Sequence, residues 1–124
     1  MTASLNKVMV IGNIGRPAEM RYMPSGRPVT CFSVGATRAW NSEDGQKQEE
    51  TEWFHVVAWG DLAERCKRSL RENHQVYVEG RLQTRSWETE DGSRQLRTEL
   101  VASDMILLSR STGDEDVSSP AVEE

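Results

Sequence analysis

The chain has 124 residues, 36% hydrophobic and 28% charged, which is the material of one globular domain. No run of 18 apolar residues occurs, so no membrane-spanning helix is expected. The first seven residues lack the basic start and apolar run of a secretory signal, so a cytosolic chain is expected. Fifteen Lys and Arg stand against twenty Asp and Glu, for a net charge of −5. Five of the acids (Asp114, Glu115, Asp116, Glu123, Glu124) lie beyond Ser111 with no base among them, which leaves residues 1–110 neutral. An acidic total therefore does not exclude a polyanionic ligand, because placement of the bases decides. Twelve of the bases are Arg, whose planar fork suits phosphates and ring faces better than Lys does.

In chain order, residues 5–14 predict a strand, since a β-branched run ends at Gly15. Val8 and Val10 face one way and Met9 and Ile11 the other, which predicts burial on both sides. Residues 20–23, beyond Pro17, are a short extended continuation, and Pro24-Ser25-Gly26 is a turn. Residues 28–38 predict a second strand with Phe32, Val34 and Ala36 on one face and Cys31, Ser33, Gly35 and Thr37 on the other. Residues 39–50 read as a mobile polar loop. Residues 51–59 predict a third strand. A helix follows over 61–72, with Leu62, Cys66 and Leu70 four residues apart, Asp61 at its start, Arg68 and Arg71 at its end and Asn73 as a left-handed stop.

Residues 75–87 alternate cleanly as a fourth strand. Val76, Val78, Gly80 and Leu82 share one face, and Tyr77, Glu79, Arg81, Gln83, Arg85 and Trp87 the other. Glu90-Asp91-Gly92-Ser93 predicts a hairpin turn and residues 95–108 a fifth strand. No internal repeat is evident. The expected organisation is all-β: a five-stranded Greek-key OB-fold barrel over residues 1–110, its one helix between strands three and four, and a short disordered acidic tail over 111–124.

The four Trp outnumber the two Phe, and their neighbours are polar. A barrel this small lacks room to bury four indoles. Arg38 and Trp40 fall on one strand face, and Arg81, Arg85 and Trp87 on another, so cations and rings interleave at strand spacing. Such a surface can stack on planar groups and neutralise phosphates. The alternative is a solvated face whose Arg stems cover apolar surface. Enzyme constellations are not evident, so no catalytic residue is expected. His55 reads as a packed or interface imidazole, His74 as a helix-end cation, and Glu49-Glu50 as solvated. Gly12-Asn13-Ile14-Gly15 lacks the ending of a phosphate loop. Cys31 and Cys66 are expected as small buried residues, and no metal or cofactor is expected.

These residues resemble the bacterial single-stranded DNA-binding proteins. The resemblance rests on Leu5-Asn6-Lys7-Val8 through Gly12-Asn13-Ile14-Gly15, Arg21-Tyr22-Met23-Pro24 and Thr51-Glu52-Trp53 with Val56-Val57. It continues through Gly60 with Leu62-Ala63-Glu64, Gln75-Val76-Tyr77-Val78-Glu79-Gly80 and Leu82, Thr84, Arg85 and Trp87, and it covers nearly all of 5–108. It implies base stacking on Trp40, Trp53, Trp59 and Trp87 and backbone contacts from Arg21, Arg85 and Arg97, to which the strand pattern adds Arg38 and Arg81. The acidic tail is expected to compete for the same surface. The resemblance also implies a homotetramer built by pairing first strands, with Val8, Val10 and Tyr77 at subunit contacts, acting in the cytoplasm at the nucleoid in replication, recombination and repair.

The chain departs from that pattern in three places. Trp59 replaces a usual Phe. Phe54 stands where His often makes a subunit contact, with His55 one residue on. The end, Ser118-Ser119-Pro120-Ala121-Val122-Glu123-Glu124, lacks the Asp-rich Ile-Pro-Phe tip, so tail-borne recruitment of replication and repair proteins is not carried over. Two other readings fit the sequence: a dimeric accessory protein resembling primosomal replication protein N, and an OB-fold protein-interaction module without nucleic-acid binding, since fold alone does not fix function.

Overall fold

The computed structural model describes residues 2–109; the expected tail over 111–124 lies outside them. In chain order the elements are β1 (Val8–Ile14), β2 (Glu19–Tyr22), β3 (Pro28–Asn41), β4 (Lys47–Trp59), α1 (Asp61–Ser69), β5 (Gln75–Glu88) and β6 (Arg94–Ser109). The sheet runs β1-β5-β6-β4-β3-β2, and β1 pairs again with β3 through Asn13–Gly35 and Ile14–Val34, which closes five strands into a barrel. All neighbours are antiparallel except β4 and β6, which meet in parallel at Val56–Leu100 and Val57–Val101. The short β2 covers the first part of that β3 edge, Pro28–Cys31. This is the OB-fold expected, with its helix between the third and fourth barrel strands.

The interior is filled by Val10, Ile14, Phe32, Val34, Val56, Ala58, Val76, Val78, Leu100 and Met105, together with Cys66 and Leu70 from the helical segment. Alternation puts one residue in two of each strand inside. The helix packs on β2, β3, β4 and β6 with Ala63 and Cys66 buried. Thr30 Oγ1 donates to the Ala63 carbonyl at 2.7 Å inside that contact, and Arg65 ties the outer helix face to Asp104 at 2.9 Å and to the Met105 carbonyl at 3.1 Å.

Several expectations are corrected. The helix stops at Ser69, because Leu70 turns extended to enter the core. Asn73 is left-handed (φ 71°), but in the link to β5, where its N–H donates to the Ile14 carbonyl at 2.9 Å. His74 is buried, and its Nδ1 accepts the Arg71 backbone N–H at 3.1 Å, so it organises that link and does not face solvent at the helix end. The first strand begins at Val8. It buries one face within the chain: Val10 is in the core and Val8 packs against it, whereas Met9 and Ile11 are 65% and 56% exposed. Val10 is therefore taken up by this chain's own core and Val8 is half-covered by it, which leaves Met9 and Ile11 as the outward pair.

The largest correction concerns residues 39–50. They are not a loop: β3 and β4 stay paired without a break from Val29–Trp59 out to Asn41–Lys47, forming a two-stranded arm. A second arm is formed by β5 and β6, paired out to Glu88–Arg94. Both arms end in the same turn. Ser42 N–H donates to the Gln46 carbonyl at 2.8 Å and Gly45 N–H to the Ser42 carbonyl at 3.0 Å; Thr89, Gly92 and Ser93 repeat this at 2.9 and 3.0 Å. Gly45 and Gly92 sit at φ 83° and 87°, where an L side chain is disfavoured. Asp44 and Asp91 brace these turns, accepting the Gln46 and Ser93 backbone N–H groups at 3.2 and 3.0 Å and the Ser42 and Thr89 hydroxyls. Those bonds hold both carboxyls below the ordinary carboxylate value.

Candidate nucleic-acid interface

Strand registers assemble one continuous outer face across β2, β3, β4, β6 and β5. Arg21 lies opposite Val29, which lies opposite Trp59. Cys31 lies opposite Val57, Val57 beside Val101, and Val101 opposite Arg81. Gly35 faces Trp53, Gln83 faces Glu99, Arg85 faces Arg97 and Trp87 faces Gln95. Trp53, Trp59 and Trp87 thus share a face with Arg21, Arg81, Arg85 and Arg97. Alternation along β3 puts Arg38 and Trp40 on the other face of the first arm, opposite Glu50 and Gln48.

The indoles are wet: Trp40, Trp53 and Trp87 are 40%, 53% and 39% exposed, and Trp59 is half-buried. Trp53 has a floor of two glycines. A Cβ on Gly15 would stand 2.4 Å from its Cζ3, and one on Gly35 2.8 Å from the same atom, so the ring rests directly on backbone. Three indoles carry guanidinium groups. Arg38 stands 4.4 Å over Trp40, Arg27 4.7 Å over Trp59, and Arg85 and Arg97 5.5 and 5.7 Å over Trp87. Each such contact is worth about 0.5–1 kcal/mol at an exposed site, weak enough to exchange for another planar partner.

Acids temper the face. Arg85 Nη2 lies 3.3 Å from an oxygen of Glu99, whose residue is 6% exposed, so a covered carboxylate holds one phosphate-type cation in place. Arg38 pairs with Glu50 at 2.9 Å, so Glu50 is engaged and not merely solvated. Cys31 is exposed, against expectation, because its side chain falls on this outer face; Cys66 is buried, and burial pushes its thiol up to about 11. The partly covered Cys31 thiol is raised chiefly by burial, with Arg21 and Arg85 lowering it and Glu99 and Glu19 raising it. Charges from β2, β5 and β6 therefore converge on one spot of β3.

Two residues were missed by the sequence reading. Arg27 caps Trp59 from the turn before β3, which only the Val29–Trp59 register reveals. His55, read as a packed or interface imidazole, is not packed within the chain: it is exposed opposite Ser33 and on the same face as Trp53. Tyr77 also points outward from β5 but four residues before Arg81, in an apolar row between Ile11 and Ile106, its hydroxyl donating to Glu79. Among the described residues no group of three or more His, Cys, Asp or Glu is placed to hold a metal ion.

The model of the Single-strand binding protein family matches residues 5–108. The chain belongs to that family. Single-stranded DNA-binding protein 1 of Chlorobaculum tepidum is 44% identical over 109 residues, covering 87% of this chain and 67% of the relative. The single-stranded DNA-binding protein of Neisseria meningitidis is 42% identical over 85% of this chain and 60% of its own length. Single-stranded DNA-binding protein 1 of Xylella fastidiosa is 40% identical, with 93% and 85% covered. The chain thus spans about two thirds or less of the first two relatives. Among solved structures, a Plasmodium falciparum SSB in complex with ssDNA superposes with a TM-score of 0.79 at 30% identity, over 88% of this chain and 99% of the other.

Proposed function

We propose that this chain binds single-stranded DNA without regard to sequence and by binding alone, covering exposed strands during replication, recombination and repair in the cytoplasm. The observation that carries this reading is the set of four solvent-reaching indoles on the outer sheet face and the first arm, three of them under Arg guanidinium groups. Stacking of a base on an aromatic ring is worth about 1–3 kcal/mol, a range established on single-strand-binding OB-folds such as this one, and it tolerates any base. An arriving base exchanges the guanidinium over Trp40, Trp59 or Trp87 for its own ring. The released guanidinium remains within reach of the adjoining phosphate, where it displaces a counterion and makes affinity salt-dependent. Arg21 and Arg81 extend the cationic track.

The chain acts as a homo-oligomer, a tetramer on the pattern of its family. Exposed Met9, Ile11, Ile106 and Leu108, with half-buried Tyr77, form an apolar patch suited to a second copy. The binding test is intrinsic Trp fluorescence during titration with oligo(dT) at low and high salt. Deep, saturable quenching is expected; no quenching would overturn the reading and favour a protein-interaction module.

A further inference from the structure

The two arms are near copies of one another. Residues 37–46 read Thr-Arg-Ala-Trp-Asn-Ser-Glu-Asp-Gly-Gln and residues 84–93 read Thr-Arg-Ser-Trp-Glu-Thr-Glu-Asp-Gly-Ser, six of ten identical, a repeat the sequence reading overlooked. The structural correspondence is closer still. Thr37 and Thr51 approach at 2.7 Å across the first arm, and Thr84 and Thr98 at 3.5 Å across the second. In each arm the Arg lies over the Trp two residues on, and the turn is the same.

The arms differ on the return strand, at the position facing the Arg. Arg38 faces Glu50, and Arg85 faces Arg97. Each of these Arg meets a carboxylate, Glu50 at 2.9 Å from Arg38 and Glu99 at 3.3 Å from Arg85, but only in the second arm does the facing position add a further guanidinium, Arg97, 5.7 Å over Trp87. The other charges of the two return strands match, Lys47 with Arg94 and Glu52 with Glu99, apart from Glu49 where the second arm has Leu96, so Glu50 against Arg97 is the main difference in charge.

We propose that the arms are one strand-binding device set to two strengths by this single position. Glu50 holds Arg38 back from phosphate, making the β3–β4 arm the weak contact, and Arg97 makes the β5–β6 arm the strong one. The inference rests on the single-stranded DNA reading. Both Arg38 and Glu50 side chains are more than half exposed, so the pair is worth little by itself and a phosphate can replace the carboxylate.

The test uses the full chain, oligo(dT) and a salt series, with Glu50→Gln, Glu50→Arg, Arg97→Glu and, as a charge-matched control, Glu49→Gln. Glu50→Gln is expected to tighten low-salt binding about two- to fivefold. It also steepens the dependence of log K on log salt by about 0.7 per site, the value of one more phosphate neutralised on a single strand. Glu50→Arg tightens further, and Arg97→Glu weakens binding and flattens the slope. If the parent chain binds but Glu50→Gln leaves affinity and slope unchanged, or Glu49→Gln matches it, the pair does not set the strength and the inference falls. If the parent chain does not bind oligo(dT), the binding reading itself falls.

Discussion

Replacing Gly15 by Ala tests how the outer face holds its central ring. The new Cβ would stand 2.4 Å from Cζ3 and 2.7 Å from Cη2 of Trp53, where ordinary contact begins at 3.4 Å. Gly15 has no positive φ, so Ala brings no backbone strain, and the Gly15 N–H keeps its 3.0 Å bond to the Ser33 carbonyl. The colliding atoms are the far end of a half-exposed side chain, so the ring yields, moving by about 1 Å to recover contact distance. Stability should change by no more than about 0.5 kcal/mol, as for other surface substitutions. Affinity should fall by about 1 kcal/mol, roughly fivefold, because a tilted ring gives up part of one stacked base. Oligo(dT) titration reads the affinity and urea unfolding the stability. Trp53→Ala supplies the second half of a cycle: Gly15→Ala added to it should cost nothing more, since the ring is already gone. Additive losses, or an unchanged single variant, would refute the glycine-floor account.

Other expectations follow from the same structure. Ile11→Asp, at an outward position of β1, should lower the assembly mass in sedimentation while leaving the circular dichroism spectrum intact; an unchanged mass would move the interface elsewhere. The carboxyls of Asp44 and Asp91 are lowered by hydrogen bonds, so the turn stability they give is complete above their ordinary value of 3.8 and is lost as pH falls through the lowered ones. The Gly45 and Gly92 amide resonances should report that loss during acid titration, and Asp44→Asn should abolish it in the first turn. Exposed Cys31 should react with a thiol reagent in the folded chain and be slowed by bound oligo(dT), while buried Cys66 should react only on unfolding. Equal rates with and without DNA would place the strand off the outer face.

The barrel was legible because its strands bury one face, so Phe32, Val34, Val76 and Val78 write a period of two into the sequence. That signal vanishes where a ribbon is wet on both sides, which is why 39–50 read as a loop. The clue there was chemical: Glu43-Asp44-Gly45 has the same turn residues as Glu90-Asp91-Gly92, which were read correctly between flanks of clearer alternation. Val8 and Val10 were assigned to a partner because a two-sided apolar strand does not announce which side its own barrel claims. The closing register with β3 and β5 decides that. The stacking residues were legible by type, as Trp in polar company. Their grouping was not, since it depends on the curvature that brings β2 and β5 toward one spot on β3.

The identical turns at the arm tips leave the reach of each arm free to drift. Adding two residues to each strand of an arm, inboard of the turn, lengthens it by about 7 Å and returns every side chain to its original face. Adding one to each instead inverts the face on which Trp40 or Trp87 is displayed. Because the arms stand outside the closed barrel, neither change disturbs the packed interior. The stretch of strand covered by one subunit is thus adjustable in even steps, separately for each arm, on an unaltered foundation.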